Sequence, residues 1–70
     1  MNAAQEFLEK NGFEQVNATI MKGDKCSVGL YEKHYTVYFE GGQMYSPDLK
    51  IYWLIGVLTY YELIDKNYKQ

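Results

Sequence analysis

The chain has one cysteine, Cys26, and one histidine, His34, which are the side chains best suited to nucleophilic or acid–base chemistry at neutral pH. Cys26 alternates with Val28 in an apolar pattern, which is typical of a small buried side chain rather than of a nucleophile. His34 follows Glu32-Lys33, a turn sequence in which a histidine ordinarily faces solvent. We therefore expect no catalytic residue and no enzymatic activity.

The same residues exclude the common metal and cofactor sites. One thiol and one imidazole do not make a zinc ligand set, and the carboxylates show no metal-binding spacing. Gly41-Gly42 lacks the Gly-Lys-Ser/Thr continuation of a phosphate-binding loop. We expect no metal and no cofactor, and a lone cysteine cannot form a disulfide within the chain.

The charges exclude two further classes of partner. The seven cations are all lysines, scattered among nine acids, and the net charge is −2. Without arginine the chain lacks the bidentate group that reads guanine, so we expect no sequence-specific binding of duplex DNA. The first ten residues lack an apolar leader, and the longest mostly apolar run, 51–61, is shorter than the ~20 residues of a membrane span. We expect a cytoplasmic protein without membrane contact.

These side chains must be positioned by a small fold. The 70 residues predict a single domain over 1–70, and the 47% hydrophobic and 17% aromatic content excludes a disordered segment. Asn2 as N-cap and Asn11-Gly12 as a stop signal predict a short helix over about 3–10. Two alternating stretches follow and predict strands, one over about 13–20 and one over 26–30.

The alternation also predicts which residues face each other across the strands. A three-residue loop at 22–24 pairs Ile20 with Cys26, Ala18 with Val28 and Val16 with Leu30. A turn at Glu32-Lys33 pairs Leu30 with Tyr35, Val28 with Val37 and Cys26 with Phe39. A two-residue loop at Gly41-Gly42 pairs Phe39 with Met44 and Tyr38 with Tyr45.

The final segment begins with Ser46-Pro47-Asp48, which has the order expected at a helix start, and predicts a long helix from Pro47 to about Lys66. The fold class is therefore α+β, a two-layer α-β-β-β(-β)-α domain. Its antiparallel sheet of three to four strands is packed by a short N-terminal and a long C-terminal helix.

A set of tyrosines and one methionine is predicted on the outer side of this sheet, away from the inward valines. The set consists of Met21, Tyr31, Tyr38 and Tyr45. Tyrosine is enriched at binding hot spots and also stacks on nucleobases, so we expect these residues to bind a partner or ligand. Stabilisation of an exposed sheet by cross-strand tyrosine pairs is the structural alternative.

The C-terminal helix has two apolar sides. Leu49, Tyr52, Trp53, Gly56, Val57, Tyr60, Leu63 and Ile64 form a broad side that we expect to face the sheet, with Gly56 allowing a close approach. Ile51, Ile55 and Leu58 form a second stripe, the α2 stripe. Three such side chains left in water would forgo roughly 5–8 kcal/mol, so something must cover them. The first helix through Phe7 and Leu8, a second copy or another protein would serve, and a homodimer is expected.

By its size, acidity and lack of catalytic groups, the chain resembles the small proteins of phages and mobile elements that block host machinery, including anti-defence and anti-CRISPR proteins. The resemblance implies a non-enzymatic interaction protein that modulates a protein partner, whose identity the sequence does not reveal, by binding its surface. The alternative is a small-molecule or nucleotide-binding, sponge-like protein. In that case tyrosine rings stack on a base and Lys22, Lys25 or Lys33 holds phosphate.

Overall fold

A computed structural model describes residues 2–64, and the first helix in it, α1, spans Ala3–Lys10 as the sequence predicts. The Asn2 side chain caps its start by accepting a hydrogen bond from the Gln5 amide at 2.8 Å. Gly12 ends the helix in the left-handed region, with φ of +87°, and the Phe13 amide then donates to the Leu8 carbonyl at 3.0 Å. The end of α1 is therefore a Schellman motif.

Five strands follow and form one antiparallel sheet in chain order. They are β1 (Glu14–Gln15), β2 (Ile20–Lys22), β3 (Cys26–Leu30), β4 (Tyr35–Phe39) and β5 (Gly42–Tyr45). With a helix before and a helix after the sheet, the α+β fold class is confirmed. The described strands exceed the predicted three to four because the first predicted strand is two short ones.

The pairing of β3 with β4 is the predicted one, with Cys26 opposite Phe39 and Leu30 opposite Tyr35. Between β4 and β5 the prediction is wrong by two residues, since Phe39 faces Gly42 and Val37 faces Met44. The two-residue loop is therefore Glu40-Gly41. A shift of two residues leaves each side chain on its predicted face of the sheet.

The prediction for β2 is wrong, and with it the placement of Met21. The Asn17 carboxamide oxygen accepts hydrogen bonds from the amides of Thr19 and Ile20, both at 2.9 Å, and bends the chain where one strand was predicted. Met21 then pairs with Val28, whereas the predicted pairing of Ile20 with Cys26 would set it opposite Lys25. The observed register differs from the predicted one by three residues, and an odd shift reverses the side chains, so Met21 is 1% exposed in the core and not on the outer face.

Both helices cover the same side of the sheet. A single cluster of buried side chains joins them to the strands, and it contains Ala4, Phe7 and Leu8 of α1, Phe13, Met21, Cys26, Val28, Tyr35, Val37, Leu54, Val57, Leu58 and Ile64. The other side of the sheet carries no helix within the described residues. This leaves an open sheet face on which a site can be built.

The second helix, α2, spans Ile51–Tyr60, which is shorter than the predicted range. Ser46 does not cap it, because its hydroxyl accepts a hydrogen bond from the Tyr35 amide at 2.6 Å and donates to the Asp48 carbonyl. The Lys50 amide donates instead to the Asp48 carboxylate at 2.9 Å. Lys66, the predicted end, lies outside the described residues.

The predicted facing of α2 is wrong in part, although Val57 and Ile64 of the predicted side are buried. Leu58 is fully buried, and Ile51 and Ile55 pack against the core, so the α2 stripe is covered within a single copy of the chain. Leu54, which the prediction overlooked, lies at the centre of this buried side. The side predicted to face the sheet includes Tyr52 and Tyr60, which are 83% and 79% exposed. An exposed tyrosine can still hydrogen-bond to water through its hydroxyl, whereas an exposed leucine or isoleucine cannot. Burial therefore stabilises the branched aliphatic side chains more than the tyrosines.

Candidate functional site

Three of the predicted binding residues, Tyr31, Tyr38 and Tyr45, lie on the open side of the sheet, and we call this surface the tyrosine face. Tyr38 alternates with the buried Val37 along β4, and the register sets Tyr45 beside Thr36 on the same side. Met21, the fourth predicted residue, lies on the opposite side. The tyrosine face is thus an exposed aromatic surface carried by β3, β4 and β5 and by the turn after β3.

Gly29 allows the Tyr31 ring to lie flat across β3. A Cβ atom built on Gly29 would collide with the Tyr31 ring, so any larger residue at this position would displace that ring. Gly29 itself is buried although it is on the open side of the sheet. The sequence therefore uses a glycine inside a strand to admit an aromatic ring, which is one of the reasons for which strands tolerate glycine.

The Tyr31 and Tyr38 hydroxyls form a hydrogen bond with each other, with 2.7 Å between the oxygens. This hydrogen bond raises the pKa of Tyr31 above its ordinary value near 10, and desolvation of the hydroxyl adds to the effect. Tyr31 is therefore neutral at physiological pH. Its hydroxyl therefore acts as a phenol that donates and accepts hydrogen bonds, not as a phenolate nucleophile.

His34 also belongs to the tyrosine face. Its place there was not predicted from the sequence. Its ring centroid lies 5.1 Å from that of Tyr31 and 6.0 Å from that of Tyr45. The turn from Tyr31 to His34 brings the two rings together, closed by the Tyr31 amide donating to the His34 carbonyl at 3.1 Å. The sequence did contain a signal for this contact. Tyr31 and His34 are three residues apart, and a tight turn brings residues with that spacing close together.

Tyr45 is the most exposed member of the face, at 59%. The Gln43 side-chain amide donates a hydrogen bond to its hydroxyl at 2.9 Å. Between Gly29 and Tyr45 in the register lies Thr36, which is completely buried, and its hydroxyl has no hydrogen-bond partner among the described residues. The rings therefore shield the sheet beneath them from water.

The arrangement does not bring nucleophile and base together. Cys26 is buried on the helix side of the sheet, and His34 lies on the open side, so the chain's one thiol and one imidazole cannot form a reactive pair. Burial raises the pKa of the Cys26 thiol to about 11. Among residues 2–64, no group of three or more His, Cys, Asp or Glu side chains could hold a metal ion.

A hollow of about 390 Å³ lies at one end of the sheet and is lined by Gly12, Glu14, Lys22, Gly23 and Asp24. In the sheet register Lys22 is aligned with Tyr38, which lies two strands away on the same open side. Lys25 donates to the Glu62 carbonyl at 3.4 Å, and Lys33 lies in the turn that carries His34. Of the three lysines predicted to hold phosphate, Lys22 and Lys33 therefore flank the tyrosine face.

In the part of the chain that the structure describes, no helix has the length and apolar character needed to cross a membrane. No family model, no curated protein sequence and no solved structure matches the chain.

Proposed function

We propose that the chain is a non-enzymatic protein-binding module that acts by occupying the surface of a partner protein through its tyrosine face. The observation that carries the proposal is the group of adjacent rings on the open sheet side, Tyr31, His34 and Tyr45, joined to Tyr38 by a hydroxyl–hydroxyl hydrogen bond. Tyrosine combines a large apolar area with a hydroxyl, which suits it to a surface that alternates between water and a partner.

The geometry favours binding in a second way, because the rings are held before any partner arrives. The Tyr31 ring lies on Gly29, and its hydroxyl is fixed by Tyr38. Side chains that are already ordered lose little conformational entropy on association. A partner would therefore meet a prepared surface.

Protein binding is favoured over nucleotide binding by the charges around the face. A nucleotide needs stacked rings together with cations placed for phosphate. Lys33 adjoins Glu32 in the turn, and Lys22 shares its hollow with Glu14 and Asp24. The neighbouring carboxylates oppose an anionic ligand, whereas a protein surface has no such requirement.

The test is capture of partner proteins from a lysate of the native host, with Tyr45→Ser compared with the unaltered chain. We expect Tyr45→Ser to weaken capture by about tenfold or more, since loss of an exposed aromatic anchor removes hot-spot contacts. Gly29→Ala should have a similar effect although it removes no tyrosine, because its methyl group displaces the Tyr31 ring.

Val16→Ser is the matched control, because Val16 is 53% exposed, close to the 59% of Tyr45, but belongs to the β1–β2 connection. Its capture should equal that of the unaltered chain. Equal capture by all four chains would contradict the proposal. A nucleotide that raises the melting temperature of the unaltered chain but not of Tyr45→Ser would assign the face to the small-ligand function instead.

A further inference from the structure

The outer side of α2 carries a glycine that has no packing neighbour among residues 2–64. Gly56 is exposed and lies inside the helix, and a Cβ atom built on it would meet no atom of the described residues within 4 Å beyond the backbone of its own helix. The predicted close packing against Gly56 is therefore not made by any residue from 2 to 64. Glycine is less favourable than alanine inside a helix, so its presence at this open position points to a contact beyond the described residues.

Two exposed tyrosines flank this glycine at equal distances. Tyr52 and Tyr60 stand four residues before and four residues after Gly56, and we call the three residues the outer ridge. At 1.5 Å per residue, each tyrosine lies about 6 Å along the helix from the glycine. Tyr60 is held edge-to-face against Tyr61, with centroids 4.9 Å apart, and Tyr61 in turn lies 5.4 Å from Phe39. The ridge is thus two large side chains with a gap between them.

We propose that the outer ridge binds a second copy of the chain, with the two α2 helices crossing antiparallel at Gly56. A two-fold axis through the glycines sets Tyr52 of one copy against Tyr60 of the other, and the same contact recurs at the other end. The two tyrosines are equally far from Gly56. A self-complementary contact requires this symmetry, because each tyrosine of one copy must meet the other tyrosine of the second copy. The missing side chain lets the two helix backbones approach at the crossing point.

The charge distribution of α2 also favours a second copy of the chain as the partner. Ile51–Tyr60 contains no charged residue, although the whole chain carries seven lysines and nine acids. Two copies can therefore meet along α2 without bringing like charges together. A strongly charged partner would find no complementary group on this helix.

The available area fits a weak but specific dimer. With about 200 Å² for each tyrosine side chain, the exposed parts of Tyr52 and Tyr60 offer roughly 650 Å² over two copies. The flanks of the helix, including the exposed Leu49, raise the contact toward the roughly 1,000 Å² that a specific interface requires. Contacts at this lower limit are weak or transient, and we expect a dissociation constant on the order of 10 μM.

The test is the mass in solution, measured by sedimentation from below to above that concentration. The unaltered chain should pass from 8.2 kDa to twice that mass as concentration rises. Gly56→Glu should raise the dissociation constant at least about tenfold while leaving the melting temperature of the monomer unchanged or higher, because the site is open within the monomer. A mass of 8.2 kDa at every concentration, or an unaltered dissociation constant in Gly56→Glu, would overturn the proposal.

A pair of double variants tests the antiparallel geometry. A chain with Tyr52→Lys and Tyr60→Glu should still dimerise, because each introduced cation meets an introduced anion of the other copy. A chain with Tyr52→Lys and Tyr60→Lys should remain a monomer. The reverse ranking would overturn the crossing arrangement.

Tyr45→Ser is the control, since it alters an exposed tyrosine on the sheet and should leave the dissociation constant unchanged. A weaker dimer in Tyr45→Ser would overturn the assignment to α2. Because partner capture and self-association are read separately, failure of one leaves the other standing.

Discussion

At the residue scale, the same type of side chain is buried on one face of the sheet and exposed on the other. Tyr35 faces the helices and is buried, with its hydroxyl donating to the Leu49 carbonyl at 3.0 Å. Tyr45 faces outward and keeps its ring accessible. Cys26 shares the inner side with Tyr35, and burial raises the pKa of both groups. Position on the pleat therefore decides which groups are stabilisers and which are available for contact.

The raised pKa of Cys26 predicts a loss of stability in alkaline solution. The unfolded thiol ionises near its ordinary value of 9, whereas the folded thiol keeps its proton until about 11. The stabilising contribution is therefore complete below pH 9 and is lost as the pH rises toward 11. Chemical denaturation across this range should show a smaller fall of the midpoint in Cys26→Ala than in the unaltered chain. Parallel pH curves for the two chains would contradict the assignment.

The tyrosines whose pKa is raised, Tyr31 and Tyr35, act in the same direction at higher pH. Both chains retain them, so their effect cancels in the comparison. As a second readout, the Cys26 thiol should react with a disulfide reagent only after unfolding, because the core shields it.

At the element scale, both helices end in the same motif with different residues in its critical position. In α1, Gly12 holds the left-handed position. In α2, Glu62 holds it, with φ of +57°, and the Leu63 amide donates to the Leu58 carbonyl at 2.8 Å as in a Schellman motif. The left-handed conformation is free of steric penalty for glycine only, so one helix end is relaxed and the other is strained.

This difference predicts opposite effects of two substitutions on the free energy of unfolding. Gly12→Ala should lower it by about 1–2 kcal/mol, because alanine is strained in the left-handed region. Glu62→Gly should raise it by about 0.5–1 kcal/mol, because the strain is removed. Urea unfolding followed by circular dichroism measures both. If both substitutions changed the free energy of unfolding in the same direction, left-handed strain would not be the main determinant of stability at one of the two helix ends.

At the scale of the whole molecule, the tyrosines are largely on the surface, whereas the phenylalanines pack in or against the core. The chain has eight tyrosines, and of those described only Tyr35 is buried. The core lies on one side of the sheet and is built mainly from aliphatic side chains such as Leu54 and Leu58, together with Phe7, Phe13 and Tyr35. A 70-residue chain has little core to lose, so its stability depends on few side chains.

The core therefore predicts a sharp contrast between two positions on the same helix. Leu54→Ala should lower the free energy of unfolding by about 2–5 kcal/mol, because it leaves a cavity at a fully buried site. Tyr52→Ala, only two residues away but 83% exposed, should change it by less than about 0.5 kcal/mol in the monomer. Denaturation at concentrations below the dimer range measures both. Comparable losses at the two positions would contradict the observed facing of α2.

The sequence by itself determined the features that depend on a few neighbouring residues. Asn2 and Gly12 mark the ends of α1 because capping is local chemistry, and the β3–β4 register followed from matched alternation on both sides of one turn. The same alternation put Tyr31, Tyr38 and Tyr45 on one face. Local patterns suffice where no competing arrangement satisfies them equally well.

The tertiary structure alone decided the features that depend on competition between alternatives. Met21 turned inward because the Asn17 side chain bends the chain and changes the register of β2. The side of α2 that meets the sheet was chosen between two apolar sides, and Leu54 with Leu58 filled the core better than the tyrosines did. A helical wheel contains no information on the space a sheet leaves to be filled, since packing is a property of both partners.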